Sequence, residues 1–194
     1  MAQRGITASY EAIRLWGNKF GSKYAERLRR KHQGYGNVFF IDEVFVKIHR
    51  QQYYLWRAVD QDGEVVNVTL QKRRDRKAAK GFFKRLSRKY KGEPRRVVTD
   101  KLRRYGVAHR PLIPETIHDT TQCANNRGEL SYEPTRVSER GMRQFKSIQQ
   151  AQRFLGAHAG VYNLFDLGRH LVSAQTYRYF RPRAFVSWEK AAAI

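Results

Sequence analysis

The chain contains one cysteine, Cys123, among 194 residues, so an internal disulfide is excluded. A lone thiol fits a reducing compartment. The six histidines are scattered, and no Cys or His pair stands at ligand spacing, which argues against a structural zinc site. Long apolar runs are missing too. Nothing approaches the roughly 20 residues needed to span a bilayer, and "MAQRGITASY" has no apolar stretch of the kind that directs secretion. The expectation is a soluble cytoplasmic protein with no membrane partner. Acids are scarce: 17 Asp and Glu stand against 39 Lys and Arg, a net charge of +22. The excess runs along the whole chain. A field of that size attracts polyanions and binds them by counter-ion release, so nucleic acid is the expected partner.

What is present is a folding sequence, 41% hydrophobic and 13% aromatic, long enough for one good core. Residues 5–36 read as helical. Ser9 is placed to cap a helix with Ile13, Trp16 and Phe20 at helical spacing, Gly21 reads as a stop, and a second short helix follows from Tyr24. The pattern turns to β after "QGYGN". "VFFIDEVFVKI" (38–48), "QYYLWRAVD" (52–60) and "EVVNVTLQK" (64–72) are rich in β-branched and aromatic residues, and their short connections force antiparallel neighbours. Residues 75–90 form a basic amphipathic helix with Asp75 as cap and Ala78, Ala79, Phe82, Phe83, Leu86 and Tyr90 as its apolar stripe. "RRVVTD" (95–100) is a short strand, and residues 147–165 return to helix. The tail "TYRYFRPRAFVSWEK" shows no clear periodicity. The predicted class is α/β, in the order β-β-β-α-β-α, with domains at 1–36, 37–146 and 147–194.

Three acids stand out. Asp42 lies inside an apolar strand, Asp100 ends the fourth strand, and Glu129 follows in "NNRGELSYEPTR". Buried acid is costly unless paired. In a sheet ordered 3-2-1-4 the first and fourth strands are neighbours and their acids meet. Converging carboxylates cannot all ionise unless a cation holds them, and oxygen-only ligation points to Mg²⁺, with Mn²⁺ as substitute. Singly, each acid also has an ordinary reading: an ion pair with Lys or Arg for Asp42, a turn for Asp100, an exposed helical acid for Glu129. Taken together with the strand order and the charge, they favour the metal site. Glu43 projects to the face opposite Asp42 and is expected either to support the site from behind or to be structural. "DQDGE" (60–64) lacks the spacing of a calcium loop and reads as a hairpin turn.

The blocks "YYLWRAVDQDGEV", "KRRDRKAAKGFFKRL", "VVTDKLRRYG", "NNRGELSYEPTR" and "RQFKSIQQAQRFL" resemble, in collinear order, the bacterial insertion-sequence transposases of the insertion sequence six family, of the DDE (Asp-Asp-Glu) class. The resemblance implies an RNase H-like catalytic core with a mixed sheet flanked by helices. It implies Mg²⁺-dependent strand cleavage, then attack of the freed 3′-hydroxyl on target DNA to form a cointegrate. It makes Asp42, Asp100 and Glu129 the catalytic and metal-binding acids, and it places Lys101 and Arg127 beside DNA. Residues 1–36 resemble a partial helix-turn-helix, with Arg14, Asn18 and Lys19 as DNA-contacting side chains and a shortened start. The implied partners are double-stranded DNA, both terminal inverted repeats and target, and a second copy in a homodimer or higher homo-oligomer. The implied location is cytoplasmic, at the nucleoid. Leu130 and Tyr132 depart from the family pattern of Asn and then Ser-His after the Glu. The alternative is a catalytically impaired, shortened copy acting as a non-enzymatic DNA-binding protein.

Overall fold

The computed structural model describes residues 9–31, 34–90, 93–100, 114–121, 124–126, 128, 145–166 and 172–193. Five strands form a single sheet: β1 (Val38–Ile48), β2 (Gln51–Asp60), β3 (Val65–Gln71), β4 (Arg96–Thr99) and β5 (Ile117–Asp119). Their order is β3-β2-β1-β4-β5, so the long first strand is central. β1 and β2 pair antiparallel, as do β2 and β3, whereas β4 runs parallel to β1 and β5 parallel to β4. The β1–β2 connection is the two-residue loop His49–Arg50, both with positive φ (50° and 65°). That backbone matches the right-handed twist of the flanking strands, and it fixes the register at Ile48 opposite Gln51.

Both faces of the sheet are covered, which accounts for the near-continuous burial of β2 and β3. On one face lies α2 (Arg76–Tyr90), whose apolar stripe packs on Phe39, Ile41, Trp56, Ala58, Val66 and Val97. Asp75 caps it, its Oδ1 accepting from the Ala78 amide at 2.8 Å. The other face takes α3 (Ile148–Asp166), where Ala151 and Leu155 meet Val59, Val65, Val68 and Leu70. α3 also closes the edge of the sheet. Asn163 bonds both the N–H and the C=O of Val65 (2.7 and 3.2 Å). Gln152 takes the Leu70 N–H and the Val68 C=O (2.8 and 3.1 Å). These amides satisfy an edge that would otherwise offer itself to another strand.

Two expectations at the ends of the chain are corrected. α1 (Tyr10–Lys31), capped by Ser9, is one helix of 22 residues and does not stop at Gly21. Gly21 serves packing: a Cβ there would come within 3.2 Å of Ala157 Cβ on α3, and one on Gly160 within 3.4 Å of Ala25 Cα. The glycines let α1 and α3 cross closely. Trp16, one of the three apolar positions at helical spacing, is exposed. The aromatic tail forms a further helix, α4 (Ala174–Ala192), with Ser173 as cap and Pro182 inside. Its periodicity is invisible because the buried positions are the small Ala184 and Ala191, while Tyr179, Phe180, Phe185 and Val186 are exposed. α4 is held to α1 by Tyr24 against Trp188 (5.8 Å between ring centroids) and by Arg27, which donates to the carbonyls of Ala191 and Ala193 at 2.8 Å. A cation at a helix C-terminus is favourable. Among the described residues, no helix is long and apolar enough to cross a membrane.

Asp60 organises the entry to β1. Fully buried at the end of β2, its Oδ1 accepts from the amides of Asp62 and Glu64 and its Oδ2 from that of Gly36, all at 2.9–3.0 Å. Burial pushes its pKa up, and the backbone hydrogen bonds oppose that shift. Gln61 adds a bond to the Val38 amide at 2.9 Å. The "DQDGE" turn is thus a clasp that sets where β1 begins. Asp60→Ala strands three amides and is expected to cost about 2–4 kcal/mol in urea unfolding. Asp60→Asn, which keeps an acceptor, is expected to fall between it and the parent.

Candidate active site on the central strand

Parallel pairing of β1 with β4 ends at Ile41 opposite Thr99. One residue further on each strand stand Asp42 and Asp100. Phe39 and Ile41 face α2, and Phe40 and Val44 face α3. Strand alternation puts Asp42 on the α3 side. Val97 packs with Phe39 on the α2 side, so continuing the alternation along β4 puts Asp100 on the α3 side as well. The two acids therefore follow on neighbouring strands whose backbones lie about 4.8 Å apart, and both are half-buried.

The backbone carrying these acids is fixed from three directions. Buried Asn125 donates from Nδ2 to the Ile41 carbonyl at 2.9 Å, directly before Asp42. A Cβ on buried Gly128 would meet Asn125 Oδ1 at 2.8 Å, so a glycine is required against that amide. On β4, the Thr99 hydroxyl donates to the Asp100 carbonyl at 2.9 Å and lies 2.8 Å from His118 Nε2 on β5. The Thr99 hydroxyl thus ties the end of β4 to His118 on β5. On the α2 face, Glu43 bonds Arg74, which accounts for the second acid of "IDEVF". Its side chain is 2% exposed; the basic partner takes the place of water, as expected of a structural acid.

Across β2, the register sets Arg57 opposite Asp42. Arg57 is 4% exposed, and its guanidinium lies over the Tyr162 ring of α3 at 5.7 Å. Beside it, His158 sits between Phe154 (5.5 Å) and Tyr162 (6.4 Å). Burial, reinforced by the Arg57 charge, holds the His158 pKa down at about 4. Its unfolded value is near 6.5, so between these two pH values the unfolded chain binds more protons. Stability is therefore full above about pH 6.5 and falls as pH drops towards 4, by on the order of 2 kcal/mol. Replacing His158 by Phe is expected to flatten that part of the stability–pH curve in denaturation titrations.

The structure brings Asp42 and Asp100 together and draws the segment around Asn125 up to them. Glu129, Lys101, Arg127, Leu130, Tyr132 and Cys123 lie outside the described residues, as does the Arg14 side chain. Among the described residues, no third His, Cys, Asp or Glu completes a cluster with the two acids. Asn18 is half-buried and Lys19 exposed on α1, an element that packs on α3 and α4. Reading the sequence missed Arg57, Thr99 and His118. The signal for Arg57 was available: a two-residue loop at His49–Arg50 pairs each residue with the one whose number sums to 99.

A mixed sheet ordered 3-2-1-4-5, flanked by helices on both faces, is the RNase H-like fold of integrase and transposase cores. At 15% identity, the HTLV-2 integrase catalytic core domain in complex with magnesium (dimeric form) superposes with a TM-score of 0.52, covering 77% of this chain and 97% of that one. This likeness bears on the fold. Residues 36–167 match the DDE domain family. The chain is 27% identical over 184 residues to the Staphylococcus aureus transposase for insertion sequence-like element IS431mec, covering 92% of this chain and 80% of the relative. It is also 27% identical over 181 residues to the transposase for insertion sequence element IS257 in transposon Tn4003, from the same species. The chain belongs to the DDE transposases of the insertion sequence six family.

Proposed function

We propose that this chain cuts and joins DNA with the carboxylates of Asp42, Asp100 and Glu129, using divalent cations held between them. The observation that carries the reading is the side-by-side placement of Asp42 and Asp100 past the last β1–β4 pair. Hard oxygen donors on adjacent strands suit Mg²⁺ or Mn²⁺. A bound divalent ion supplies Lewis-acid charge to the phosphoryl oxygens during in-line displacement.

The chain's own residues do the rest. Asp42, on the central strand, and Asp100, just past the end of β4, supply two of the acids, and Asn125 fixes the segment that leads to Glu129. In the joining step, a 3′-hydroxyl oxygen bonds to a target phosphorus, and that phosphorus releases its bridging 3′-oxygen. Each bond made balances one broken, and no covalent enzyme–DNA link is needed. The outward side of α2, with Arg76, Lys77, Lys80, Lys84 and Arg88, offers a backbone-binding surface that fits the +22 charge. Lys101 and Arg127 are assigned to phosphates near the acids, and Arg14, Asn18 and Lys19 to the terminal repeat. Two DNA ends need two active sites, so a homodimer or larger assembly is the working form, at the nucleoid. The test is Mg²⁺-dependent joining of a pre-cleaved 3′-hydroxyl end into plasmid. Joined product that vanishes with EDTA supports the reading. A folded chain that binds DNA but joins none in Mg²⁺ or Mn²⁺ supports the alternative, a passive DNA-binding protein.

A further inference from the structure

We propose that Arg57 is the built-in counter-ion of Asp42: a fixed cation from the neighbouring strand that holds the first carboxylate before any divalent ion arrives, and weakens the site's grip on that ion. The inference rests on the assignment of Asp42 as a metal ligand. Directly opposed residues of an antiparallel pair place their side chains on one face, with Cβ atoms about 5 Å apart, and Asp42 and Arg57 are so opposed. A guanidinium does not deprotonate, so at 4% exposure Arg57 needs an anion close by.

The groups around Arg57 narrow the choice. From β3, Val68 is its register partner and is apolar. From α3 come the Tyr162 ring, under the guanidinium, and His158, neutral at physiological pH. Asp166 is engaged by the Tyr162 hydroxyl. The carboxylate directly across the strand pair is Asp42. Arg57 thus lets the metal-free protein bury an active-site acid at low cost. The same charge repels an incoming dication, because like charges a few ångströms apart interact strongly in a half-buried site. A DNA phosphate at the site offsets Arg57, so cation loading tightens once DNA is bound.

The test uses the full chain without DNA, with Mn²⁺ binding read by electron paramagnetic resonance and melting followed in EDTA and in Mn²⁺. Arg57→Met is expected to bind Mn²⁺ at least about tenfold tighter than the parent. It should melt lower in EDTA and recover when Mn²⁺ is added. Asp42→Asn/Arg57→Met is expected to melt above Arg57→Met in EDTA and to lose the tight Mn²⁺ binding. If Arg57→Met does not fold alone, recovery of folding in the double variant carries the proposal. Mn²⁺ affinity in Arg57→Met no greater than the parent's, or a double variant no more stable than Arg57→Met, overturns it. Parent-like Mn²⁺ binding by Asp42→Asn would instead remove the ligand assignment, while the EDTA melting cycle still reads the Arg57–Asp42 pair by itself.

Discussion

Asp100→Asn is expected to lower end joining by about 1,000-fold or more, the scale on which single members of a catalytic constellation act. DNA binding at low salt should be unchanged, because the basic surface is untouched. The metal-free protein should be no less stable, and more stable by up to about 1 kcal/mol. Asp100 follows the end of β4 beside Asp42 in the middle of β1, and two neighbouring carboxylates repel unless a cation lies between them. Removing one charge removes that repulsion. Activity and stability moving in opposite directions is the signature of a site built for a ligand. Gel assays of joined product and urea unfolding in EDTA, run on the same preparations, read both.

Asn125→Ala should carry the second largest effect, a loss of about 100-fold in joining, as expected when a catalytic group shifts by about 1 Å. Nothing in this side chain need touch DNA. Its Nδ2 holds the Ile41 carbonyl at 2.9 Å, and Glu129 follows four residues further along the sequence. On the proposed assignment, loss of the tether frees the segment that positions Glu129 relative to Asp42. Asn125→Asp is expected to be at least as damaging, since a carboxylate cannot donate to a carbonyl and brings a charge towards Asp42. Both variants should melt within a few degrees of the parent, and a parent-like joining rate in Asn125→Ala would show that Glu129 is placed by other contacts.

Much of this arrangement was legible in the sequence. Short connections made β1, β2 and β3 antiparallel neighbours, and the order 3-2-1-4, taken as a condition in reading the sequence, is the order found. Under that order Asp42 and Asp100 fall on neighbouring strands. The opposite placement of Glu43 followed from strand alternation, and its partner Arg74 bears out the structural reading. Other features were hidden for physical reasons. Gly21 looks like a helix stop because local sequence does not show that Ala157 lies against it. α4 buries alanines and exposes its aromatics, which removes the stripe that marks a helix. Starting the second strand at residue 52 left a three-residue connection and blurred the pairing that sets Arg57 against Asp42.

The most direct test of the account puts Fe²⁺ in place of Mg²⁺ and lets ascorbate and peroxide cut the backbone where the ion sits. Cuts are expected near residues 42, 100 and 129, suppressed by excess Mg²⁺ and lost at all three places in Asp100→Asn. Cuts elsewhere, or cuts at these positions that survive Asp100→Asn, would contradict a cation held between the middle of β1 and the end of β4.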